Sequence, residues 1–253
     1  MIEQDTSNEH LKRVNIIGVP ISATNLKSCV ETIEENIGNI KGQYICVSNV
    51  HTTVMAHDNR DYYKIQASSF MSVPDGKPLS VIGKKYYPEM DRVTGLELMK
   101  AIFYKSAETG WSHYFYGNNL ENLELFITNV KKEYPWLNIS GYEPSVFRDL
   151  TETEEKELTD RINSTHADFL WVALGAPRQE NFCYKMRGCI NSLMIGVGGV
   201  FNIVAGIVPD APKWMQKLSL EWFYRLVQEP RRLFKRYITT NSKFIWYLIF
   251  TRR

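Results

Sequence analysis

The sequence predicts an α/β fold: a Rossmann-like, mostly parallel sheet with helices on both faces, extended by a basic helical appendage at the C-terminus. Three observations predict it. Short continuous apolar runs such as Asp168-Phe-Leu-Trp-Val-Ala-Leu174 end in glycine or polar clusters, as buried strands do. The segments between them carry apolar residues at helical spacing, so strand and helix alternate along the chain. From Arg225 to Arg253 the chain holds eight Lys or Arg against one acid, Glu229, although its overall net charge is only +2. A mildly acidic body therefore carries a basic, aromatic tail.

Taken in order, Val14 to Val19 reads as a first strand. Thr24 to Ile37 reads as a helix, because Leu26, Val30, Ile33 and Ile37 recur on one side. Tyr44 to Val47 is a buried strand that stops at the polar cluster Ser48 to Thr53, where a helix should begin. Two helical stretches lead to a strand over 70–73 and a bend at Asp75. Gly95 to Ala107 is helical, with Leu96, Met99 and Ile102 on one side. The second half gives strands at His113–Tyr116, Leu137–Tyr142, Asp168–Leu174 and Leu193–Val197, with helices at Leu120–Lys132 and Glu152–Asn163. In such sheets ligands bind outside the carboxyl ends of the strands. Asn49, Asp75, Gly117, Gln179 and Gly198 each follow a strand and are expected on one rim.

At 253 residues, with 44% hydrophobic and 23% charged residues, the chain can bury a substantial core, which excludes disorder. Cys29, Cys46, Cys183 and Cys189 show no C-x-x-C spacing, which argues against zinc and disulfide frameworks. The N-terminus is polar and acidic, unlike a signal peptide, and no window reaches the roughly 18 apolar residues of a membrane span. The chain is expected not to cross a bilayer.

The stretch Ser72-Val-Pro-Asp75-Gly-Lys-Pro-Leu-Ser80 presents a lone carboxylate at a strand mouth, fixed by Pro74 before it and Gly76 after it. Taken alone, it reads more simply as a turn or helix cap. Gly196-Val-Gly-Gly-Val-Phe201 lacks the third glycine of a dinucleotide fingerprint, and no phosphate-binding P-loop is present. There is no D-x-D pair for a nucleotide-bound metal, only the isolated Asp58 and Asp61. A pyrophosphate would then be handled by arginine, backbone N–H groups or helix N-termini. Arg92, just before a helix capped by Thr94, suits that task; its simpler reading is an ion pair with Asp91 or Glu97. Gln179, in Gly175-Ala-Pro-Arg-Gln-Glu180, could read a base, sugar or amide, or merely begin a helix. His51 ranks below Asp75 as an acid–base group. The tail from Leu220 to Phe250 interleaves arginines with large apolar rings. Anionic lipid is its preferred partner, nucleic acid is not expected, and a core-packing helix is the plainer alternative.

Five segments in order resemble the WecG/TagA/CpsF family of bacterial glycosyltransferases: Asn49 with its helix, Pro74-Asp75-Gly76, Arg92-Val-Thr-Gly95, Gly175 to Glu180, and Leu220 to Leu226 with Glu229-Pro-Arg-Arg232. The resemblance covers about Val14 to Tyr237. It implies inverting, metal-independent transfer of an N-acetylmannosamine-type sugar from a UDP donor to a polyprenyl-pyrophosphate-linked sugar, in teichoic acid, capsule or exopolysaccharide synthesis. No cofactor is implied. Residues 1–218 would form the Rossmann-like core and 219–253 a membrane-associating appendage, peripheral on the inner face of the plasma membrane, with a homo-oligomer compatible.

By the same resemblance Asp75 corresponds to the general base, and Arg92 and Gln179 to residues needed for activity. Arg225, Arg232 and Lys235 correspond to positions that reach the donor diphosphate. The remaining candidate substrate contacts are Asn49, Thr52, Gly76, Thr94, Gly95, Gly117, Asn118, Gly175 and Gly198. Three departures stand out: Val47 where members often carry Thr, Asn118 where a second glycine is usual, and Lys235-Arg236 where an arginine is usual, lysine and arginine not being equivalent at a phosphate.

Overall fold

The first apolar run breaks at its glycine. Ile17 and Gly18 both take positive φ, 47° and 85°, and the Gly18 amide donates to Asn15 Oδ1 at 2.7 Å. Two residues with positive φ make a tight hairpin turn. The expected single strand Val14 to Val19 is therefore a hairpin, β1 (Arg13–Ile16) and β2 (Val19–Ser22), which forms its own two-stranded antiparallel sheet. The computed structural model describes residues 12–212, 214–215 and 220–250.

The remaining elements follow the alternation read from sequence: α1 (Leu26–Asn36), β3 (Tyr44–Ser48), α2 (Val50–Asp58), α3 (Arg60–Ala67), β4 (Met71–Pro74), α4 (Lys77–Gly83), α5 (Gly95–Thr109), β5 (Ser112–Gly117), α6 (Leu120–Glu133), β6 (Asn138–Glu143), α7 (Glu152–Ser164), β7 (Phe169–Ala173), α8 (Arg178–Lys185), β8 (Leu193–Gly196), α9 (Val200–Val204), α10 (Glu221–Gln228) and α11 (Pro230–Phe250). β3 to β8 form a six-stranded sheet in the order β4-β3-β8-β7-β5-β6, parallel throughout. All its carboxyl ends consequently share one rim.

Alternate side chains of each strand enter two cores. On one face Ile45, Val73, Phe115 and Trp171 meet α1, α5, α6 and α9. On the other, Tyr44, Cys46, Leu170 and Met194 meet α2, α3, α7, α8 and the hairpin. Each large apolar side chain removed from water there contributes about 1.5–3 kcal/mol. The chain leaves β3 and β7 toward the second face, and β5 and β8 toward the first. Loops that part in this way open a crevice between them, where α/β folds bind ligands.

The C-terminal helix returns to this body. Leu233, Thr240 and Phe244 of α11 are buried, Phe244 within the second core. Lys243 Nζ and Tyr247 Oη each reach Asp58 of α2 at 2.6 Å, and the Tyr247 ring lies 3.9 Å from that of His57. The expected boundary at residues 218/219 lies outside the described residues. On the side of α11 away from α2, Phe234, Ile238, Ile245, Trp246, Ile249 and Phe250 are each more than half exposed. Among the described residues no helix is long and apolar enough to cross a membrane.

Candidate active site

Parallel pairing sets the ends of β3 and β4 side by side, with Ser48 opposite Pro74. The Asp75 amide locks the two ends by donating to the Ser48 carbonyl at 2.8 Å. Asn49 then caps α2: its Oδ1 accepts from the amides of His51 and Thr52 at 3.0 and 3.2 Å, and Thr52 Oγ1 accepts from the Asn49 amide at 2.9 Å. Thr52 is buried, so its hydroxyl serves this reciprocal cap. Gly76 packs on the same turn, where a Cβ would come within 3.5 Å of the Val50 amide nitrogen.

Positive charge comes from the next loop. The Val93 amide donates to the Pro74 carbonyl at 2.9 Å, which hooks Arg92, Val93 and Thr94 onto the end of β4. Thr94 and Glu97 cap α5 reciprocally, the Glu97 amide donating to Thr94 Oγ1 and the Thr94 amide to Glu97 Oε2, both at 3.1 Å. Arg92 donates to Glu221 of α10 and lies 3.7 Å from Glu97. Asp91 is engaged elsewhere, accepting from the Arg92 amide at 2.8 Å and facing Lys84 at 3.2 Å. Gly95 abuts Val197 and Val200, joining this loop to the end of β8.

These charges meet at Asp75. The residue is half-buried. Its carboxyl is pushed up to about 6: loss of solvent raises it most, Arg225 and Arg92 pull against that, and Glu221 and Glu97 add to it. Burial alone would lower the Arg92 guanidinium, but Glu221, then Glu97 and Asp75, outweigh it and raise it. Arg225 projects from α10 with its side chain exposed, so its charge acts on Asp75 while the group stays open to a ligand.

The other strand ends form the far wall. Gln179 is buried; its Oε1 accepts from the Gly175 amide at 3.1 Å and its Nε2 donates to Glu180 Oε1 at 2.9 Å. A Cβ on Gly198 would stand 3.1 Å from Gln179 Oε1 and 3.6 Å from the Gly175 Cα, at a φ of 54° that favours glycine. The Gln179 amide thus holds the Gly175 and Gly198 loops together rather than projecting into the crevice. Gly117, with φ of 132°, would place a Cβ 2.5 Å from the Ala173 carbonyl oxygen, so only glycine fits. Asn118 Nδ2 donates to Asn202 Oδ1 at 2.6 Å, tying this loop to α9.

The tail residues separate. The charge of Arg225 reaches Asp75, Lys235 is exposed, and the Arg232 side chain lies outside the described residues. Arg236 faces His51, whose pKa is lowered by burial and then by that cation. Thr240 Oγ1 lies 3.4 Å from His51 Nδ1. The main residue that sequence reasoning missed is Glu221, which carries no local signal; Glu97 was read from the sequence only as an ion-pair partner of Arg92, and it lies 3.7 Å from it.

A carboxyl group that titrates near neutrality can take a proton, and guanidinium groups beside it can steady an anionic leaving group. That pairing at the strand ends of an α/β sheet suits group transfer. The comparison with known proteins names the group: the chain belongs to the glycosyl transferase WecG/TagA/CpsF family, whose model matches residues 14–253. It is 29% identical over 220 residues to an N-acetylglucosaminyldiphosphoundecaprenol N-acetyl-beta-D-mannosaminyltransferase of Bacillus subtilis (strain 168), covering 86% of this chain and 84% of that one. To the protein of the same name from Bacillus spizizenii strain W23 it is 30% identical over 194 residues, 76% of this chain and 74% of that one.

Proposed function

We propose that this glycosyltransferase moves a sugar of the N-acetylmannosamine type from a UDP donor to a polyprenyl-pyrophosphate-linked sugar, in the synthesis of a bacterial cell-surface polysaccharide or teichoic acid. The observation that carries the reading is the Asp75 carboxyl, raised to about 6 between Arg92 and Arg225. The acceptor class is supported by the relatives, whose names specify a diphosphoundecaprenol-linked substrate.

Asp75 takes the proton of the acceptor hydroxyl as its oxygen attacks the anomeric carbon. The bond from that carbon to the UDP oxygen breaks on the opposite face, so configuration inverts and UDP departs with its electron pair. Arg92 and Arg225 stabilise the growing diphosphate charge in the role a metal fills elsewhere, a reading supported by the lack of any D-x-D pair. The exposed rings of α11, on a helix that also exposes Lys235, would rest on the anionic inner face of the plasma membrane, where the lipid acceptor lies. Residues 1–218 then act as catalytic core and 219–253 as the membrane-reading part, with Arg225 completing the site.

The test mixes purified protein with a short-chain polyprenyl-pyrophosphoryl-N-acetylglucosamine and a panel of UDP-sugars, with product read by mass spectrometry. One donor should yield product with wild type and none with Asp75→Asn. UDP-sugar binding without product from any donor would contradict the reading and favour a non-catalytic nucleotide-sugar-binding subunit.

A further inference from the structure

Beneath the rim lies a second carboxyl group that the proposed transfer does not use. Glu180 is 3% exposed. Its Oε1 accepts from Gln179, which holds the Gly175 loop, but its Oε2 has no hydrogen-bond partner among the described residues. Two further buried oxygens share that condition, Tyr62 Oη and Gln66 Oε1, both from α3. The Tyr62 hydroxyl interacts with Glu180 on one side and Gln66 on the other. Gln66 Nε2 donates to Ser48 Oγ at 3.0 Å, and Ser48 Oγ pairs with Ser72 Oγ at 2.7 Å. The Ser48 carbonyl takes the Asp75 amide.

Counting hydrogens decides how such a cluster is satisfied, because buried polar atoms go unpaired only at a cost of about 1–3 kcal/mol each. With Glu180 ionised, the three oxygens have one hydrogen among them, that of Tyr62, and Gln66 Oε1 or Glu180 Oε2 is left without one. A proton on Glu180 Oε2 supplies the second. Glu180 can then donate to Tyr62 and Tyr62 to Gln66, so the count closes.

We infer that Glu180 is a positioning residue held as the neutral acid, its proton completing a hydrogen-bonded chain from the Gly175 loop through Gln179, Tyr62 and Gln66 to the end of β3 beside Asp75. The chain joins the two walls of the crevice, so the turn that carries Asp75 and the loops that face it keep one spacing.

The surroundings agree with a neutral group. Burial raises the Glu180 carboxyl, opposed by the hydrogen bond from Gln179, by its own amide and by the nearby Tyr62 hydroxyl. The titratable groups coupled to it are Tyr62 on α3, Cys46 on β3 and Cys183 on α8, and burial pushes all three upward, so each is neutral at pH 7. Arg13 of β1, which acts on Cys46, spends its guanidinium on the carbonyls of Ala67, Ser69 and Phe70.

The test uses the full chain as wild type, Glu180→Gln and Glu180→Leu. Glutamine keeps one acceptor and one donor edge in place, which leucine does not. The infrared difference spectrum of wild type minus Glu180→Gln at pH 7 should show the carbonyl stretch of a protonated carboxylic acid. Thermal unfolding from about pH 5 to about pH 8 supplies the second readout. A carboxyl whose folded pKa lies above its unfolded value of about 4.3 erodes stability as pH rises between the two. The Tm of Glu180→Gln should therefore gain steadily on that of wild type across this range. A carboxylate band in place of the acid band, or a Tm difference flat with pH, would overturn the inference and assign an ionised Glu180 beside a Gln66 amide turned the other way.

The functional arm rests on the proposed UDP chemistry. UDP binding should weaken about tenfold in Glu180→Leu and return to within about threefold in Glu180→Gln. Equal loss in both variants would overturn the positioning role. Absence of UDP binding in wild type would count against the proposed function while leaving the spectroscopic and unfolding arms to decide the state of Glu180. If Glu180→Leu fails to fold, those two arms, both read on Glu180→Gln, decide alone.

Discussion

Arg92 and Glu221 stand 129 residues apart in sequence and form an ion pair, one from the loop before α5 and the other from the first turn of α10. The contact brings a C-terminal helix with no buried side chain of its own to the end of β4. It also gives the Arg92 guanidinium two carboxylate neighbours, Glu221 and Glu97. Under the proposed function, an incoming diphosphate would compete with Glu221 for that guanidinium.

The charges around Asp75 predict shifts of opposite sign. Glu221 raises the Asp75 carboxyl and Arg225 lowers it. Glu221→Gln should move the acid limb of the kcat/KM profile to lower pH, and Arg225→Ala should move it to higher pH. Profiles of the two variants beside wild type check both signs.

Arg92 should matter as a fork and not only as a charge. Arg92→Ala should lower kcat by about 10²–10³. Arg92→Lys should recover only part of that, because an ammonium cannot match a diphosphate bidentately. Steady-state kinetics with purified variants measures both.

Asp75 also links stability to pH. Its folded value of about 6 lies above the ordinary carboxyl range near 4. The folded state therefore holds the proton more tightly, and the contribution of Asp75 to stability should fall as pH rises from about 4 to about 6 and level off above. Asp75→Asn lacks this slope and should gain on wild type through that window in urea denaturation.

Phe244 anchors α11 on α2. Phe244→Ala should cost about 3–5 kcal/mol locally, seen as faster amide exchange along α11. Loss of exchange protection confined to that helix is the expected result.

Much of the architecture was legible because buried parallel strands announce themselves as apolar runs ending in glycine or polar residues. Tyr44–Ser48, Phe169–Ala173 and Leu193–Gly196 fell where the sequence put them. The hairpin was not, since Val14 to Ile21 is apolar on both sides of Gly18 and Ile17 adopts a left-handed conformation that its side chain gives no sign of favouring. The rim was legible at Asn49, Asp75, Arg92 and Gly198, all of which follow strands or precede helices. The inward turn of the Gln179 amide, the pairing of Glu221 with Arg92 and the seat of Phe244 depend on contacts between segments distant in sequence. No local pattern encodes these.

The central claim is that Asp75 removes the acceptor proton. Its most direct test is the pH dependence of kcat/KM for sugar transfer, measured for wild type and Asp75→Asn. Wild type should rise through an apparent pKa near 6 and then level off. Asp75→Asn should fall by about 10²–10⁴ and lose that limb while still binding UDP. A variant that keeps wild-type rates, or keeps the same limb near pH 6, would contradict the account.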